Sequence, residues 1–260
     1  MLRGPIQRLK ATRFAREFVL LGAAYMAYEL VRSMAAGWAL DAFENAEIVV
    51  RAEQALGIFA ELNLQVAMLS YSGLIDFLSL WYFWGHFPLM VLLAAWALYR
   101  HNRDYVWGRN AIFAAGGLAL IVYLLFPVAP PRLIPGGGFV DTLRGVFALQ
   151  YEDSSLVNQF AAVPSMHQGF AIIMGTMLYR ILGGRLGVAT LILLPGMMLI
   201  TIVATGNHWF LDAILGAVVA MAGMGIANEI ERHGGGLRKL VSRRLPHRAG
   251  TGSASAQSPS

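Results

Sequence analysis

The sequence has no cysteine, which excludes disulfides and thiolate metal sites. It is also poor in charge: 13% of its 260 residues are Asp, Glu, Lys or Arg, where a soluble domain has about 25%. With 57% hydrophobic residues and a mean hydropathy of +0.56, it holds more apolar surface than one soluble core can bury, and lipid is implied as solvent. It lacks the alternating pattern of barrel strands, so its membrane segments are helices. There is no HExxH and no carboxylate cluster, so neither a metal nor a cofactor is expected. The Gly136-Gly137-Gly138 run follows no strand and has no Lys-Ser/Thr partner, which makes it a turn and not a nucleotide loop. The net charge of +5 does not point to nucleic acid, because the basic residues sit in short segments between apolar runs and not in one patch.

What the chain does have is long apolar runs. A span needs about 20 mostly apolar residues, and six runs qualify: 17–38, 77–99, 106–126, 165–182, 187–204 and 209–230. Six spans put sixteen of the 20 Lys and Arg residues on one side, which predicts that both termini are cytoplasmic. The other side keeps Arg32, Arg51, Arg132 and Arg144. The first run has a basic start and small residues at Ala35, Ala36 and Gly37, as a cleaved signal would, but Glu29 and Arg32 interrupt its core and an uncleaved span is the preferred reading. The expected organisation is a basic cytoplasmic segment over 1–16, one membrane domain over 17–230, and a basic tail over 231–260 that ends in a disordered Gly250–Ser260. No internal repeat is visible. Two outer segments are long. Residues 39–76 read as an amphipathic interfacial helix followed by a hydrophobic dip at 64–74. Residues 127–164 carry Pro130, Pro131 and Pro135, which stop a helix, and an ordered loop of that length is usually functional.

Two polar islands stand at the mouths of apolar runs: Pro164-Ser165-Met166-His167 and Thr205-Gly206-Asn207-His208-Trp209-Phe210-Leu211-Asp212. The runs between them return the chain to the same face. His208 and Asp212, four apart, share one side of a helix. A carboxylate there can accept the ring N–H, fix the tautomer and raise the basicity of the other nitrogen, which suits a nucleophilic imidazole. The plainer alternative is an interfacial His beside an acid that pairs elsewhere. His167 follows an ordinary helix start, where exposed N–H groups favour a bound phosphate and a second imidazole can pass a proton to a leaving oxygen. Arg132, on the same face as both islands and held by its neighbours Pro130 and Pro131, offers a guanidinium that fits phosphate oxygens, unless it snorkels to headgroups. Arg32 either reaches the phosphate or pairs with Glu29 one turn away. His86, among Trp81, Tyr82 and Trp84 of an interfacial aromatic belt, is a polar residue facing the bundle and a possible pocket residue, as is Asn207.

This pattern resembles the type 2 phosphatidic acid phosphatase superfamily of membrane lipid phosphatases, and within it the branch containing inositol phosphorylceramide synthase. The resemblance covers most of the chain, including the six-span layout. Pro164-Ser165-Met166-His167 fits the family's Pro-Ser-x-His, with Met166 where a Gly is common, and His208 to Asp212 fits its His-x-x-x-Asp. The resemblance implies that His208 is a nucleophile forming a phosphohistidine, that Asp212 orients it, that His167 is the general acid, and that Ser165 binds phosphate oxygens. Two family cations are missing: Ile202 stands where an Arg is usual and Leu125 where a Lys is usual, and Arg32 or Arg144 could replace them. The Pro-Pro-Arg form at 130–132 leans toward the inositolphosphotransferase branch. The expected partner is therefore a membrane lipid phosphate or diphosphate, met on the outer face of the membrane, which in a bacterial cell is the plasma membrane. Water as acceptor makes a phosphatase, and a polyol hydroxyl makes a transferase. A non-enzymatic lipid transporter or binding protein is the reading from another class, and an inactive scaffold a third. The sequence leaves the oligomeric state open.

Overall fold

The computed structural model describes residues 5–35, 37–143 and 159–244, with side chains over 15–34, 37–143 and 159–233. Arg144 and the tail Gly250–Ser260 lie outside the described residues. Within them the fold is all-helical, and the one β feature is a single parallel bridge between Val128 and Ala161. The helices are α1 (Pro5–Ala35), α2 (Ala39–Leu56), α3 (Glu61–Leu69), α4 (Ser72–Leu80), α5 (His86–Arg100), α6 (Asn102–Leu125), α7 (Met166–Leu182), α8 (Gly184–Ala204) and α9 (Phe210–Arg244). A π turn over Trp81–Gly85 joins α4 to α5 without a break.

Among the described residues, four helices are long and apolar enough to cross a membrane: Ser72–Arg100, Asn102–Leu125, Gly184–Ala204 and Phe210–His233. A fifth is added if Ala15–Met34 and Ala39–Leu56, bent by 96° at their junction, count as one broken span. The expected second run starts five residues later than the helix does, because the Tyr71 carbonyl already accepts the Leu74 and Ile75 N–H groups. α1 and α9 each run unbroken through the boundaries expected at residues 16 and 231.

Helix α7 packs on α8, α6 on α9, and α7 against both α6 and α9. Ala111, Ala115, Ala220 and Ala227, all fully buried, let the α6 and α9 backbones approach closely. At one end of the bundle, charged side chains tie the helices together. Arg109 donates twice to Glu17, at 2.6 and 2.8 Å, and Arg180 bridges Asp104 and Glu231. At the other end α2, α3 and the 127–143 and 159–164 segments lie across the helix ends. α2 buries Ala42, Ala46, Val49 and Glu53 against them, one helical face, while Leu40 and Leu56 stay exposed. The Asn45 side chain donates to the Pro127 carbonyl, and Ala129 N–H to that of Ala42. Gln65 of α3, fully buried, pairs both ways with the Val140 backbone at 2.8 and 3.0 Å. Trp209 is the hub of this cap, packed between Val49 and Val128 with its indole N–H on the Ala129 carbonyl.

Candidate active site

The site grows from the first turn of α9. Trp209 is the residue before that helix, and Asp212 its third. Asp212 Oδ2 accepts the Trp209 N–H at 2.9 Å, the reach-back half of a capping box. The same oxygen lies 3.3 Å from His208 Nδ1, and the Ala162 carbonyl lies 3.0 Å from it. Both neighbours of Nδ1 are acceptors, so Nδ1 carries the hydrogen and Nε2 keeps its lone pair. That is the tautomer of an attacking imidazole.

Two close backbone contacts bring the second island to the first. Ser165 N–H donates to the Asp212 carbonyl at 3.0 Å. This is possible because Gly216, one turn on, has no side chain: a Cβ there would collide with the Ser165 carbonyl oxygen. Gly169 does the same from α7, where a Cβ would stand 3.0 Å from the Gly216 oxygen. His167 then begins α7 with its ring centroid 5.6 Å from that of His208, tilted by 59°. Tyr82 stacks on His167 at 4.3 Å and Phe87 packs against it at 5.3 Å, so the π turn and the first turn of α5 supply the surface that holds this ring.

Arg132 reaches the same place from the segment that follows α6. Its N–H donates to the Gly206 carbonyl, and Gly206 takes φ +67 with the Gln65 side chain 2.8 Å from where a Cβ would be. Its Nε donates to Asn207 Oδ1 at 2.9 Å, and a terminal nitrogen pairs with Asp141 at 3.3 Å. Asn207 is fixed in turn by the Thr205 hydroxyl at 2.7 Å. Other expected residues lie elsewhere. Ser165 is fully buried, and its hydroxyl accepts the Gln168 N–H as the cap of α7. Arg32 is paired with Glu29, 2.9 Å from Nε. His86 sits behind His167, 5.8 Å between centroids.

Sequence reasoning passed over Glu53 and Glu61. Both are fully buried. Glu61 accepts the Phe210 N–H at 2.9 Å and Glu53 the Leu211 N–H at 2.6 Å. With Asp212 they satisfy three successive N–H groups at the start of α9, which a helix otherwise leaves unpaired. Burial, and then the Glu61 carboxyl beside it, push Glu53 up to about 9, which keeps it protonated at neutral pH. The signal available in the sequence was only their placement on an apolar face of α2 and at the first turn of α3. Gly216 and Gly169, inside two helices, were a further signal of close approach.

His167, His208, Asn207 and Arg132 line one cavity of about 570 Å³. The arrangement defines a helical membrane protein with a His-Asp pair and a second His at one end of its bundle. The chain matches the family model of the PAP2 superfamily over residues 47–226. It belongs to that superfamily, whose members are generally metal-independent phosphatases or phosphotransferases. No curated protein and no solved structure matches it.

Proposed function

We propose that this chain is an integral membrane lipid phosphatase or phosphotransferase that works through a phosphohistidine on His208. The observation that carries the proposal is the fixed Nδ1 of His208, between the Ala162 carbonyl and Asp212, with His167 5.6 Å away across the same cavity. Nε2 attacks phosphorus and forms an N–P bond while the bond to the leaving oxygen breaks. His167 gives that oxygen its proton. An acceptor hydroxyl then returns a proton to His167, bonds to phosphorus and releases His208. Water as acceptor gives hydrolysis, and a polyol hydroxyl gives transfer, as in the inositol phosphorylceramide synthase branch. Arg132 is the cation at the cavity wall, and a phosphate there would compete with Asp141 for its guanidinium. Ser165 acts through the start of α7 and Asn207 through Arg132.

In the same reading α1 and α7 join the four apolar helices as spans. α7, at 17 residues, rises about 26 Å, close to the hydrocarbon thickness of about 30 Å. α2 then lies in the interface over the site. The Arg-rich end faces the cytoplasm with both termini, and the site opens at the outer face.

The test is an assay on purified protein in detergent. A panel of lipid phosphates and diphosphates is supplied with and without polyol acceptors, and products are read by mass spectrometry. Labelled phosphate should be trapped on wild-type protein and not on His208→Ala. Turnover that survives His208→Ala removes the nucleophile. Turnover abolished by EDTA and restored by a divalent ion contradicts the mechanism.

A further inference from the structure

The cavity at the two histidines is far larger than a phosphate requires. Arg132, Asn207, His167 and His208 lie together in its lining, and Tyr25 and Tyr28 of α1 add two further hydroxyl groups. Elsewhere the walls are Ala24 and Ala27 of α1, Phe113, Gly116 and Gly117 of α6, and Phe170 of α7. Gly116 and Gly117 are the key pair. A Cβ added to either would meet nothing within 4 Å, so the space over them is open and not filled by a neighbouring helix. α6 is one of the apolar spans, and both glycines lie well inside it. Gly117, Ala24 and Tyr25 are also exposed, so the wall between α1 and α6 reaches the outside of the bundle at a depth where the surroundings would be hydrocarbon.

We propose that this is a chain site: it takes one long hydrocarbon chain of the lipid phosphate, laid over Gly116 and Gly117 between α1 and α6, with its phosphate at His208. The proposal rests on the lipid phosphate reading above and adds where the lipid lies. The volume argues for one chain and not two. At about 30 Å³ for a water-sized group, the cavity holds roughly 19 such groups. The chemistry fits as well, since an apolar body with a few convergent polar groups is what a single-ended amphiphile needs.

The experiment compares two probes that share a headgroup: a long-chain monoacyl glycerol phosphate and its short-chain, water-soluble counterpart. Gly117→Phe fills the open space. The displaced chain moves into detergent and not into water, so the loss is of packing alone, and the ratio of long-chain to short-chain kcat/KM should fall several-fold. Gly225→Phe adds the same bulk on α9, outside the cavity and with nothing within 4 Å, and should leave that ratio at the wild-type value. An unchanged ratio in Gly117→Phe overturns the chain site. A second measurement separates this from failure of the catalytic reading. Binding of a long-chain alkyl phosphonate is measured in His208→Ala protein, where no turnover is needed. If Gly117→Phe weakens that binding by a similar factor, the chain site stands whatever the reaction proves to be. If binding is unaffected, the chain lies elsewhere.

Discussion

The two ends of the bundle both bury acids, but they satisfy them differently. At the Arg-rich end each acid faces a cation. Glu17 meets Arg109 and Arg16, while Asp104 and Glu231 meet Arg180. At the site end Glu53, Glu61 and Asp212 are held by the backbone N–H groups of residues 209–211, and Arg132 with Asp141 is the ion pair beside them. An ion pair between long side chains ties two helices together and tolerates small shifts. A carboxylate seated on backbone N–H groups has its direction fixed by the helix itself. The first arrangement suits holding the bundle closed, the second suits aiming an imidazole.

Asp212→Asn is the sharpest way to break this contrast. An amide of the same shape can still accept the Trp209 N–H and face His208 with the same oxygen, but it is neutral and no longer offsets the positive charge that the ring gains when Nε2 bonds to phosphorus. Turnover should fall on the order of 10³-fold or more with little change in KM. The melting temperature should hardly move. A variant with wild-type kcat would remove the orienting role of Asp212.

Glu17→Ala is the mirror experiment. It leaves the Arg109 guanidinium, whose side chain is 12% exposed, without its bidentate partner. Removing one member of a buried pair costs about 3–5 kcal/mol of stability. The expected result is a lower melting temperature and an unchanged kcat for the protein that remains folded. Loss of kcat at full folding would mean that the two ends are coupled.

Glu61 lies between these cases, because it supports the helix that carries His208. Glu61→Ala strands the N–H group of Phe210, at a cost of about 1–3 kcal/mol, and releases that of Ala60, which is exposed. Stability and kcat should fall together. Glu61→Gln keeps an acceptor for Phe210 and should recover most of both. Equal damage from Ala and Gln would show that the negative charge, and not the hydrogen bond, is what matters at that position.

How legible this was depends on distance along the chain. The spacing of four between His208 and Asp212 pointed to their contact, but His208 lies before α9 and not on its face, and the pair meets where Asp212 reaches back to the start of the helix. Four of the six apolar runs fall on helices long and apolar enough to cross a membrane, with ends within about five residues, because hydrocarbon thickness fixes the length of a span. Glu53 and Glu61 were read as polar points on an interfacial segment. Their partners lie 158 and 149 residues away, and no local pattern records such a contact. Tyr82 was read as part of an aromatic belt for the same reason: only the assembled bundle stacks it on His167. Arg32 carried its answer locally, in Glu29 one turn away, and the pair is formed.

Glu53 brings pH into the comparison. Its carboxyl titrates at about 9 in the folded protein, against an ordinary value of 4.5. Between those values the folded state binds a proton that the unfolded state has lost, so stability falls as pH rises through the window and falls no further above it. Gln cannot titrate, yet it can accept the Leu211 N–H and carries N–H where the protonated acid carries O–H. In Glu53→Gln this part of the pH dependence disappears. The melting temperature of the variant relative to wild type should therefore climb steadily from pH 5 to about pH 9 and then level off. A difference between Glu53→Gln and wild type that stays constant with pH would mean that Glu53 is already ionised in the folded protein, and the two ends would then differ less than their hydrogen bonds imply.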